Sequence, residues 1–174
     1  MSLPYKSALR VSRRVLRALV VVNVVYGLAI LVLLVASFVA EDTVMVGLGV
    51  KPAPDRGTML LGMRLIMVVG ILSAPLFHLM LTRLLAIVET VRAGDPFIID
   101  NARRLQTIAG TLLGVQLLHL VVGVLAARTK SEVQQLDLDW SFSITPWIAV
   151  LLLFVLARVF EHGARMRADL EGTV

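Results

Sequence analysis

The sequence predicts an all-α membrane protein of four transmembrane helices, with short β-strands in its two outer loops. Three observations carry that expectation. The 174 residues are 58% hydrophobic with a mean hydropathy of +0.88, too apolar for an ordinary soluble domain. Four hydrophobic runs, near 18–39, 60–82, 107–127 and 143–160, have the length of bilayer spans, for which roughly 20 residues cover a hydrocarbon core of about 30 Å. Twelve of the seventeen Lys and Arg residues lie in the N-terminal segment, the middle hairpin and the C-terminal end; four lie in the other two loops. Basic residues collect on the cytoplasmic side, which places both termini and the hairpin there. The whole chain, 1–174, reads as one integral membrane domain.

The chain opens with Lys6, Arg10, Arg13, Arg14 and Arg17 on one helical face. Such a segment suits the headgroup level and leads into the first span. A cleaved signal peptide is disfavoured, because the apolar run from Ala18 to Ala40 is long and bulky Phe38 precedes the only candidate cleavage point. In the first outer loop Val44, Val46, Leu48 and Val50 alternate with Met45, Gly47 and Gly49. In the second, Leu136, Leu138, Trp140 and Phe142 alternate with Asp137, Asp139 and Ser141. Period-two alternation predicts strands over 43–50 and 135–142, paired over the helix ends. Trp140 and Trp147 suit the outer interface, where indole rings collect.

The second span contains Pro75, which removes a backbone donor and predicts a bend beside His78. Arg64, near its outer end, is expected to snorkel to the headgroups. Leu81, Leu84, Leu85, Val88 and Val91 then repeat at helical spacing, so the helix should reach Ala93. Gly94 is the expected C′ residue, Pro96 stops the helix, and Asp100 or Asn101 can cap the next one. On the third span, Gly110 and Gly114 form a small-x-x-x-small pattern, suited to packing within the protomer or to a homo-oligomer face. The fourth helix should continue past Phe160, and Phe97 and Phe160 should pack against the helix ends, fixing the hairpin to the C-terminal helix.

Polar residues inside spans are costly and serve as candidate sites. Asn23 and His78 fall at similar depth and are a candidate intramembrane contact, which would also serve simply to bind helices together. His78 and His119 differ in depth by about 10 Å at 1.5 Å per residue, too far for a shared metal. There is no cysteine, which excludes disulfides, thiol redox chemistry and Cys-ligated metals. No HExxH or paired-carboxylate spacing occurs. No catalytic, metal or cofactor-binding residue is therefore assigned, and an enzyme is not expected. The net charge of +5 and pI near 10.4 belong to residues flanking spans, where topology and membrane lipids account for them without direct nucleic-acid binding.

Two stretches, AGDPFIIDNARRLQTIA and LLFVLARVFEHGARMRADLEGTV, resemble a bacterial family of small four-span membrane proteins known as domain of unknown function 2975. Members have a similar G-x-PF turn, here Gly94, Pro96 and Phe97, followed by an Asn and an Arg-rich helix start, here Asn101, Arg103 and Arg104. They also have a similar VF-x-x-G-x-x-(L/M) stretch, here Val159, Phe160, Gly163 and Met166. Two departures are Ile98, where a Ser often caps the second helix, and Gly172, where a Leu often precedes the final Thr-Val.

The resemblance implies an inner-membrane protein without enzymatic activity. Members accompany a small helix-turn-helix regulator, which implies a cytoplasmic regulatory protein as partner. The expected function is a scaffold or regulator that docks this partner through Glu89, Arg92, Gly94, Pro96, Phe97, Asn101, Phe160, Gly163 and the C-terminal tail. Gly94, Pro96 and Asn101 would equally serve any tight turn between helices. The alternative is a subunit of an oligomeric small-molecule or ion transporter or channel, although no half-to-half repeat is visible.

Overall fold

The computed structural model describes residues 3–47, 56–129 and 143–171. These form five helices: α1 (Leu3–Val39), α2 (Glu41–Gly47), α3 (Arg56–Ala93), α4 (Ile99–Thr129) and α5 (Thr145–Glu171). Four contain stretches long and apolar enough to cross a membrane: Leu9–Val39, Leu60–Ala93, Ile99–Leu125 and Thr145–Leu170. The protein is a membrane protein whose described residues are helical, and the four long helices form its bundle.

Packing among the described residues follows a simple order. α1 packs on α3, α3 on α4, and α4 on α5, with no contact between α1 and α5 to close the ring. The central helix α4 supplies most of the buried residues. Ala102, Leu105, Ile108, Ala109 and Thr111 are all buried, and Ala157 of α5 is buried with them. These positions repeat at three- and four-residue spacing, so they share one stripe of α4. The small side chains of Ala102, Ala109 and Ala157 permit close backbone approach, which favours helix association in lipid. Across the α1–α3 contact the same principle operates at Gly27, where an added Cβ would lie 3.1 Å from Ala74 Cβ. Gly114 faces α3, with a virtual Cβ 3.3 Å from Leu76 Cδ1, whereas Gly110 has open space before it. Only Gly114 of that pair therefore serves packing within the protomer.

The basic N-terminal segment leads straight into the first span, as expected: α1 runs unbroken from residue 3 to 39. Other expectations change. Residues 43–47, expected as strand, are helical. The bonds from Ala40 N–H to Ala36 O (2.8 Å) and from Val44 N–H to Ala40 O (3.0 Å) carry helical bonding across a bend at Ala40. Glu41 and Asp42 then sit in the first turn of α2, where negative charge suits the helix dipole. Residues 48–50, the second expected strand at 135–142 and Trp140 lie outside the described residues.

Arg64 does not extend to the headgroups alone. It donates to Ser37 O (2.5 Å) and Ser37 Oγ (3.3 Å), pairs with Glu41 at 3.2 Å, and lies 4.1 Å from the centre of the Phe38 ring. A charge near the end of a span thus finds partners on the neighbouring helix. Pro75 lies inside the continuous α3.

Candidate docking platform at the hairpin end

The α3–α4 turn is built by its backbone. Gly94 has φ of +89°, the left-handed conformation that a Cβ disfavours. Gly94 N–H donates to Val91 O (3.2 Å) and Asp95 N–H to Thr90 O (3.1 Å). This pair of bonds is the Schellman arrangement, which satisfies carbonyls left open at a helix end. Pro96 follows and cannot continue a helix. Helix α4 begins at Ile99, and Asn101 N–H donates to Ile98 O (3.0 Å). Ile98, rather than Asp100 or Asn101, thus occupies the cap position, and its side chain supplies no acceptor.

Asn101 has another role. It is fully buried, and both its amide hydrogens and its oxygen are used. Nδ2 donates to Thr90 Oγ1 (2.7 Å) and to Pro96 O (2.8 Å), while Oδ1 accepts from Arg104 (2.9 Å). Thr90 Oγ1 donates onward to Ile87 O (2.8 Å), and Arg104 also reaches Ala86 O (3.2 Å). The network crosses from α3 through the turn to α4 and leaves no hydrogen of the Asn101 amide unpaired. Burial removes Asn101 from any docking surface and makes it the lock of the hairpin. Its partnership with Thr90 and Arg104 is not legible in the sequence, although Arg104 belongs to the Arg-rich helix start. Arg104 reads there as one of the basic residues that set topology, and no local pattern marks Thr90.

Three side-chain contacts near the turn tie the hairpin to α5, beside the packing of α4 on α5. The Phe97 and Phe160 rings lie 5.2 Å apart, tilted by 35°. Phe97 also covers Gly163, where an added Cβ would lie 3.3 Å from Phe97 Cδ1. Arg167 pairs with Asp95. Phe160 therefore stands level with the turn, and the remaining eleven residues of α5 continue beyond it by about 16 Å at helical rise. On that extension Glu161 bonds Arg158 (3.1 Å) and Arg165 (2.6 Å). On the far side, Glu89 pairs with Arg13 of α1 at 3.2 Å and lies 4.0 Å from Arg17. Arg92 is exposed, as are Gly94 and Phe97; Pro96 and Gly163 are partly exposed.

A cleft of about 650 Å³ opens between the start of α4 and the α5 extension. Ile98, Ile99 and Ala102 line one wall, Ala164 and Ala168 the other, with Arg103, Arg165, Arg167, Asp95 and Glu161 around them. A second depression, of about 620 Å³, lies on the other side of Phe97 against Val155, Val159 and Met166. Both mix large apolar groups with charges at the edge. No group of His, Asp or Glu suited to a metal occurs among the described residues.

The intramembrane pair falls elsewhere. Asn23 Nδ2 donates to Ala74 O at 3.0 Å, one turn before His78, rather than to the imidazole. Both side chains line one groove of about 310 Å³ between α1 and α3, together with Ile71 and Pro75.

No curated protein and no solved structure matches the chain. The family model described as "Protein of unknown function (DUF2975)" matches residues 17–174, from the last arginine of the N-terminal basic segment through the four spans and both sides of the platform. The chain belongs to this family.

Proposed function

We propose that the protein is a non-enzymatic scaffold or regulator of the bacterial inner membrane, whose cytoplasmic face docks a soluble regulatory protein. The observation that supports it is the union of hairpin and α5 extension, through Phe97–Phe160, Gly163 and Asp95–Arg167, into one surface bearing the cleft of about 650 Å³. A docking site needs such a preorganised backbone, because ordering a loose loop would subtract from binding. Exposed Phe97, Ile99, Met166 and Leu170 supply apolar area beside arginines. Those are residue types enriched at interface centres and suited to acidic partner groups.

The orientation follows from the lysine and arginine asymmetry. Reporter fusions at Pro54 and Gln134 should read as external; a cytoplasmic signal at either would overturn it. The partner implied by the family resemblance is a small helix-turn-helix regulator. It should co-purify with the detergent-extracted protein, and Ala168→Trp, which fills the cleft without removing a helix–helix contact, should release it. Removal of Asp169–Val174 should weaken the complex while leaving membrane insertion intact. Retention of the regulator by both variants would refute docking at this surface.

A further inference from the structure

A separate cavity of about 350 Å³ lies where α1, α3 and α4 meet, on residues the docking surface does not use. Its lining is aliphatic except for Phe77 and three polar side chains, Tyr26 of α1, Ser73 of α3 and His119 of α4. All three are deep in the apolar segments. At 1.5 Å per residue Tyr26 lies about 13 Å beyond Arg17, Ser73 about 15 Å beyond Arg83, and His119 about 22 Å beyond Arg104. With a hydrocarbon core of about 30 Å, Tyr26 and Ser73 fall near its centre and His119 in the half away from the hairpin end.

Each polar group there is costly, and three helices place one in the same small space. Ser73 Oγ donates its hydrogen to Gly70 O at 2.7 Å, which leaves lone pairs able to accept. The Tyr26 hydroxyl has no hydrogen-bond partner among the described residues, and the side chain is 55% exposed. An O–H without a partner in hydrocarbon carries a desolvation cost that a bound hydrogen-bonding group would remove. Tyr26 offers a donor, Ser73 an acceptor. A hydroxyl group can satisfy both, whereas a bare carbonyl satisfies only the donor and a hydrocarbon neither. Small-molecule sites are largely apolar with a few placed polar groups, at volumes of about 300–1,000 Å³. This cavity is at the lower end, which suits one chain or ring system rather than a whole phospholipid.

We infer that the α1–α3–α4 cavity is a binding site for a lipid-soluble alcohol or phenol, entered from the bilayer, with its hydroxyl held between Tyr26 and Ser73. The test is photoaffinity labelling in proteoliposomes with a diazirine-bearing dodecanol and the matched diazirine-bearing dodecane. The alcohol should label Tyr26, Ser73, Phe77 or His119, and unlabelled dodecanol, but not dodecane, should compete. Tyr26→Phe and Ser73→Ala should each reduce this labelling by about five-fold, the scale of one lost hydrogen bond. Should a variant fail to fold, competition in the unaltered protein decides the matter alone. Equal labelling by the two probes, labelling spread over the whole apolar surface, competition by dodecane, or labelling unchanged in both variants would overturn the assignment.

Discussion

The two ends of this helix bundle are held together differently. At the hairpin end, contacts join all four long helices: Arg13 with Glu89, Asn101 with Thr90 and Arg104, Asp95 with Arg167, and Phe97 with Phe160. At the opposite end, the described polar links join α1, α2 and α3 through Arg64, Ser37 and Glu41. Between the ends the helices meet mainly through small residues and aliphatic side chains, with the Asn23–Ala74 O bond joining α1 to α3. In lipid that arrangement has no hydrophobic driving force of its own, because acyl chains are as apolar as leucine. The order of the array, open between α1 and α5, therefore depends most on the end where hydrogen bonds and aromatic contacts can form.

That contrast can be broken by substitution. Asn101→Leu should cost the most, about 3 kcal/mol, because it removes three hydrogen bonds and strips Arg104 of its buried acceptor. Thermal or denaturant unfolding in detergent would read it; a loss below about 1 kcal/mol would mean that the network is incidental. Gly163→Leu should follow at about 2 kcal/mol by driving into Phe97. Thermal unfolding in detergent would read it, and an unchanged transition would mean that Phe97 gives way without cost. Gly94→Ala should cost about 1–2 kcal/mol through its positive φ, with amide exchange rising first around Thr90–Asp95. At the other end, Glu41→Gln should cost less than about 1 kcal/mol, since the Arg64 pair is partly solvated and Ser37 still accepts from Arg64. A Glu41 effect as large as that of Asn101 would erase the distinction between the ends.

Much of the hairpin is legible in the sequence alone, for a local reason. A helix that ends with Gly94 and meets Pro96 two residues later has few backbone solutions. The expected end at Ala93, the left-handed glycine and the fixing of the hairpin to the C-terminal helix at Phe97 and Phe160 are all present; that the two rings meet is a finding of the fold. The cap differs from expectation because an asparagine near a helix start favours capping only when exposed backbone donors compete for it. Here the Asn101 oxygen instead accepts from Arg104, while its amide hydrogens are held by Thr90 and Pro96 inside the fold. The helical 43–47 segment departs from the expected strand for a similar reason. Its alternating valines suggest a strand, but the acidic start and the helix already leading into it prevail.

By itself, then, the sequence determined the properties that depend on neighbours along the chain: four apolar stretches of spanning length, the turn at Gly94 and the charge asymmetry. Hydropathy and backbone bonding within a helix act over a few residues, so they are written in consecutive letters. Which helix each stripe faces was decided only by the tertiary structure. So were the lock at Asn101, the pairing of Asp95 with Arg167, the capture of Arg64 by Ser37 and Glu41, and the gathering of Tyr26, Ser73 and His119 around one cavity. Those contacts depend on the rotation and vertical register of helices far apart in sequence. A rotation of one residue about a helix axis, about 100° at 3.6 residues per turn, would carry any of these side chains from a neighbour into lipid.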